Sequence, residues 1–118
     1  MTVNSYKDLI IWQKSFKLVL LIYKLTENFP EKERYGLINQ LRRAAVSIVS
    51  NIAEGFSRKS QKEYTQFLKI SYGSSSEVET QLLLAEELQF GKKELYDEIK
   101  NILIEIRKML NSMLISKH

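Results

Sequence analysis

The sequence predicts an all-α fold: an antiparallel up-down-up-down four-helix bundle that assembles as a homo-oligomer. Three observations carry this. Apolar residues recur three and four positions apart in four separate windows, the mark of a helix face. No comparable stretch alternates with a period of two. Breakers are scarce, with one proline and four glycines in 118 residues, so long helices joined by short links are the natural partition. A chain of this length supports one domain, spanning 1–118, with one modest core.

The first helix is expected over about 5–27. Leu9, Trp12, Phe16, Val19 and Tyr23 form its core seam, and Pro30 ends it, since proline lacks the N–H and disfavours a helical residue before it. The second runs over about 35–57, with Gly36 near its start, Gly55 near its end, and Leu37, Leu41, Ala45, Ile48 and Ile52 as its seam. Ser60-Gln61-Lys62-Glu63 has capping-box spacing and starts the third helix, about 61–89. Tyr64, Leu68, Ser71, Ser75, Val78, Leu82 and Ala85 form its seam, and Gly91 lies where it needs a C-terminal cap. Leu95, Ile99, Ile102, Ile106, Met109 and Met113 mark the fourth, about 93–116.

A monomeric bundle needs one apolar stripe per helix, with charge opposite it. Three helices depart from that. Helix one is apolar nearly all round, with Ile10, Ile11, Leu18, Leu21 and Ile22 outside its seam. Opposite Ile48 on helix two stand Asn39, Val46, Ser50, Ala53 and Ser57, small and uncharged where lysine and glutamate are expected. Helix three has a rear seam of Gln66, Ile70, Gly73, Glu77, Leu84 and Leu88. Such faces call for another subunit, most simply with cyclic symmetry. Asn39, Val46, Ser50, Ala53, Ile70, Gly73, Glu77 and Leu84 are the expected interface.

One flank of helix two carries Gln40, Arg43, Ser47, Asn51, Glu54 and Arg58. Ser47–Asn51 and Glu54–Arg58 are i,i+4 pairs, each worth a few tenths of a kcal/mol when exposed. Where an interface covers the flank, Glu77 is the expected partner of Arg43, because an uncompensated buried charge costs several kcal/mol.

Composition narrows the function. There are no cysteines, which removes disulfides and thiolate metal sites, and the one histidine is the terminal His118. No signal-peptide pattern opens the chain, and its longest strongly apolar run, Leu18–Tyr23, is too short to span a bilayer. A cytoplasmic protein with no membrane partner is expected. The net charge of +4 permits nucleic-acid contact without requiring it.

The stretches "RRAAVSIVSNIAEGFSRKS" and "EYTQFLKISYGSSSEVETQLLLA", with the opening "YKDLIIWQKSFKLVLLIYKLTENFPEKERYGLINQLRRA", resemble the four-helix-bundle family related to the protein encoded in intervening sequences of bacterial 23S ribosomal RNA genes. The likeness rests on Arg43, Ala44, Ser47, Ile48, Asn51, Ile52, Ala53, Glu54 and Gly55, then Gly73, Ser74, Glu77 and Glu79, and covers nearly the whole chain. It implies a cytoplasmic, non-enzymatic bundle forming a ring-like homopentamer. A related branch, the accessory proteins of diversity-generating retroelements, implies that a basic pentameric surface engages nucleic acid and a reverse transcriptase.

Three function classes follow. Catalysis would fall to Glu54, Glu77 and Glu79, but no internal histidine, no base near a serine and no glycine-rich phosphate loop accompany them. No enzyme, cofactor or metal is expected. Nucleic-acid binding, RNA ahead of DNA, would use Arg34, Arg42, Arg43, Arg58, Lys59 and Lys62, with Lys69 nearby; rotational symmetry would make a modest patch multivalent. The alternative is a protein scaffold or adaptor ring whose apolar surplus docks a partner protein.

Overall fold

The computed structural model describes residues 2–116, so His118 lies outside the described residues. Among these there are four α-helices and no strand: α1 Ile10–Thr26, α2 Asn39–Phe56, α3 Gln61–Glu87 and α4 Lys93–Ile115. Together they form a helical bundle. Its core takes Leu18, Ile22 and Leu25 from α1, Leu41, Ile48 and Ile52 from α2, Leu68, Val78 and Leu82 from α3, and Ile99, Ile106 and Leu110 from α4. Contacts step in opposite senses along neighbouring helices. Between α2 and α3, Gly55 lies against Phe67, Ser71 Oγ donates to the Ile48 carbonyl at 2.9 Å, and the Ser47 and Ser74 hydroxyls bond at 2.8 Å. Between α1 and α4, Lys14 pairs with Glu105 and Lys17 with Glu98.

Helix one differs from its sequence expectation in two respects. It begins at Ile10, because Ser5 and Asp8 close a capping box around a separate 3-10 turn, Tyr6–Asp8. Its buried face is Ile11, Ser15, Leu18, Ile22 and Leu25 rather than the predicted seam. Phe16 and Tyr23 are exposed, Trp12 and Val19 half-buried. Both stripes are apolar at helical spacing, and Ser15 breaks up the one that faces inward. In α4 the inward face likewise drifts to Leu103 and Leu110, leaving Met109 and Met113 half-buried.

The predicted seams of α2 and α3 match the buried residues, with Leu37 and Tyr64 half-buried at their ends. Helix two begins later than expected, at Asn39. Ahead of it a widened turn, Arg34–Ile38, is bent at Gly36, and the Glu33 carboxylate accepts the Leu37 N–H at 3.3 Å. Ser60 caps α3 as predicted, accepting the Glu63 N–H at 3.1 Å. Gly55 lies near the end of α2, as expected, one residue before its last, and is buried.

The end of α3 shows which residue carries the left-handed cap. Phe90 N–H bonds the Ala85 carbonyl at 2.9 Å and Gln89 N–H the Glu86 carbonyl at 3.0 Å, the two bonds of a Schellman motif. Gln89, at φ 62°, therefore occupies the position glycine prefers, two residues before the expected Gly91. Gly91 also has positive φ, 78°, and a Cβ there would lie 3.1 Å from the Leu25 carbonyl oxygen. Tyr96 closes the turn by donating to the Phe90 carbonyl at 2.7 Å, and its burial, then Glu86, pushes its phenol up to about 12. Gln89→Gly is expected to stabilise the fold by about 1 kcal/mol, whereas Gly91→Ala destabilises it by about 1–3 kcal/mol. Urea midpoints of the two variants check the opposite signs.

Candidate nucleic-acid interface

The six predicted cations fall into three environments. Arg42 is drawn into the fold: its Nε donates to Thr26 Oγ1 at 2.9 Å and its guanidinium lies 4.3 Å over the Tyr23 ring. Thr26 is fixed in turn by its own bond to the Ile22 carbonyl, so Arg42 fastens α2 to α1. Arg34 and Arg58 are exposed but already paired. Arg34 meets Glu31 at 2.7 Å, and that hydrogen bond, with the charge behind it, holds the Glu31 carboxyl below its ordinary range. Arg58 meets Glu54 at 2.9 Å, has Glu63 at 3.9 Å, and lies 4.9 Å over the Phe67 ring. Arg43, Lys59 and Lys62 are exposed and have no ion pair or hydrogen bond among the described residues.

These residues do not share one patch. Arg43 and Arg58 are fifteen positions apart along α2 and its end, about 22 Å at 1.5 Å per residue. Arg34 lies beyond the start of α2, while Arg58, Lys59 and Lys62 gather at the α2–α3 link. Both i,i+4 pairs expected on the flank form: Asn51 Nδ2 donates to the Ser47 hydroxyl at 3.1 Å, and Glu54 holds Arg58. Arg43 and Glu77 line one notch between α2 and α3, beside Gln40, Ser47 and Gln81, without forming an ion pair. In that notch the Gln81 side-chain amide donates to Gln40 at 3.2 Å, and its Oε1 is buried without a partner among the described residues.

The expected interface residues lie outside the core. Asn39, Val46 and Ser50 on α2 and Ile70, Gly73, Glu77 and Leu84 on α3 are exposed; Ala53 is half-buried. A Cβ built on Gly73 would meet nothing within 4 Å, so the chain's own packing does not require glycine there. The exposed part of α1 adds a stack of Trp12 on Phe16, ring centroids 5.0 Å apart. Leu82, Leu83, Leu103 and Ile104 line an apolar groove between α3 and α4, with Glu79 and Lys100 beside it.

One polar centre escaped the sequence reading. Arg107 on α4 donates to the hydroxyls of Ser75 and Ser76, both at 2.8 Å, lies 4.7 Å over Tyr72, and has Glu79 at 3.8 Å. The visible signal was an arginine beside core Ile106, facing a helix with three consecutive serines. The described residues hold no cluster of three or more histidine, cysteine, aspartate or glutamate side chains placed for a metal ion. No helix among them is long and apolar enough to cross a membrane.

The profile of the 23S rRNA-intervening sequence protein family matches residues 7–112. The chain belongs to that family. A similar solved structure is a protein of unknown function from the S23 ribosomal protein family of Bacteroides thetaiotaomicron. It is 28% identical, with a TM-score of 0.78 over 89% of this chain and 98% of that one. No curated protein matches the chain.

Proposed function

We propose that this member of the 23S rRNA-intervening sequence protein family is a non-enzymatic, cytoplasmic, antiparallel four-helix bundle that assembles as a ring, most simply a homopentamer, and binds RNA through exposed cations. The opposite-running contacts between neighbouring helices support the antiparallel topology. Self-association is supported by the uncharged outer face of α2, by exposed Ile70 and Leu84 on α3 and Leu88 at its end, and by Gly73, a helix-interior glycine with open space at its side-chain position. The observation that carries the RNA reading is the display of Arg43, Lys59 and Lys62 without counter-ions among the described residues. Unneutralised cations, repeated by symmetry, release counter-ions when they meet phosphates. The family's name refers to 23S rRNA, which favours RNA over DNA.

The test is fluorescence anisotropy with a labelled structured RNA at several salt concentrations. Binding is expected to weaken steeply as salt rises. The triple variant Arg43→Glu, Lys59→Glu, Lys62→Glu is expected to lose at least about tenfold in affinity and to flatten the salt slope. Arg42 is spared because its loss would loosen α1 from α2. Light scattering checks that the variant still assembles. A wild type that binds no RNA even at low salt overturns the reading. The apolar groove lined by Leu83 and Ile104 then favours the second one, a scaffold that docks a partner protein with little sensitivity to salt.

A further inference from the structure

We propose that Tyr35 is a stacking platform for an unpaired nucleobase, which extends the RNA surface to the α1–α2 connection and selects single-stranded segments over duplex. The inference rests on the RNA reading and names the form of RNA that it takes. Five of the six tyrosines are engaged within the chain. Tyr6 packs against Trp12, Tyr23 lies under Arg42, Tyr64 meets Phe56 edge-on, Tyr72 lies under Arg107, and Tyr96 bonds the Phe90 carbonyl. Tyr35 has no such partner among the described residues and is 88% exposed.

The backbone that carries Tyr35 is tied down on both sides. Glu33 N–H bonds the Pro30 carbonyl at 2.9 Å, and the Glu33 carboxylate accepts the Leu37 N–H. At Gly36 that carboxylate comes so close that a Cβ would lie 2.8 Å from its oxygen. The ring is therefore displayed from a braced turn, which lowers the ordering entropy of a stacked complex. On the same segment Arg34 holds Glu31, the Glu33 carboxylate accepts the Leu37 N–H, and the exposed Lys32 has no ion pair among the described residues. An open aromatic face on a turn that also carries cations is the pairing that single-strand binders use, because every base has a face to stack and duplex bases are already stacked.

The experiment titrates wild type, Tyr35→Phe and Tyr35→Ala against one labelled RNA, as a single strand and annealed to its complement, each at two salt concentrations. Tyr35→Ala is expected to weaken single-strand binding about tenfold, leaving the salt slope and duplex binding unchanged, with Tyr35→Phe close to wild type. Wild type that binds RNA with Tyr35→Ala equal to it overturns this inference alone. Wild type that binds neither RNA overturns the RNA reading with it. Equal losses on single strand and duplex also reject stacking. At 88% exposure the ring contributes little to the core, so the alanine variant should fold, which circular dichroism verifies.

Discussion

Leu18→Ala is expected to destabilise the protein by about 2–5 kcal/mol in urea unfolding, while Phe16→Ala, the deletion of a larger side chain two residues away, costs about 1 kcal/mol or less. Leu18 is 0% exposed in the core, so its removal leaves a hole that close-packed neighbours fill only in part. Phe16 is 47% exposed, so most of its loss is the stack on Trp12, a contribution of about 0.5–1.5 kcal/mol in other proteins. The predicted seam of helix one demands the reverse order, so the pair of variants decides which face is inward. The measurement also bears on assembly. If Phe16 lies against a second copy, the cost of Phe16→Ala grows with protein concentration, because association stabilises only the folded chain. The cost of Leu18→Ala is set mainly inside one protomer.

Legibility in the sequence varied with the number of physical solutions open to each segment. On α2 one stripe is decisively more apolar than the rest, and the inward residues matched; they matched on α3 as well, although Ser71 and Ser75 interrupt its inward stripe and Ile70, Leu84 and Leu88 lie outside it. On α1 two stripes compete, and spacing alone cannot rank them. The winner contains Ser15, a polar residue that lowers the stripe's hydrophobicity and whose buried hydroxyl has no hydrogen-bond partner among the described residues. Helix starts were misplaced where a side chain caps a turn across a break, as Asp8 does for Ser5 and Glu33 for Leu37. The cap of α3 falls two residues before Gly91, because the left-handed position that glycine prefers is filled by Gln89. Among the cations, charge was legible and availability was not. Arg58 was foreseen to pair with Glu54, but nothing local shows that Arg42 reaches back sixteen residues to Thr26. Tyr35 and Arg107 were overlooked for the same reason, since isolation and engagement are properties of the folded surface.

Gly55→Leu is expected to destabilise the protein by about 3 kcal/mol or more, with Gly55→Ala costing about 1 kcal/mol. In most helix interiors glycine to alanine gains about 1 kcal/mol through propensity. Here a Cβ would lie 2.8 Å from the Phe67 Cβ, 3.0 Å from the Tyr64 ring and 3.3 Å from the Tyr64 carbonyl oxygen. Two of those atoms are main chain or rooted on it, so relief requires α3 to move away from α2, and overpacking of this kind costs about 1–3 kcal/mol even for small additions. Such a shift would also stretch the Ser71–Ile48 and Ser47–Ser74 bonds that join the same helices. For leucine the added bulk has no cavity to enter. Gly73→Ala provides the contrast within one molecule. With nothing within 4 Å, the added methyl should raise protomer stability by about 1 kcal/mol through propensity. If another copy's helix passes close to Gly73, the same methyl weakens assembly in analytical ultracentrifugation while urea unfolding of the dissociated chain shows the gain. Opposite signs at two glycines would separate the glycine that joins α2 to α3 from the one kept for contact outside the chain.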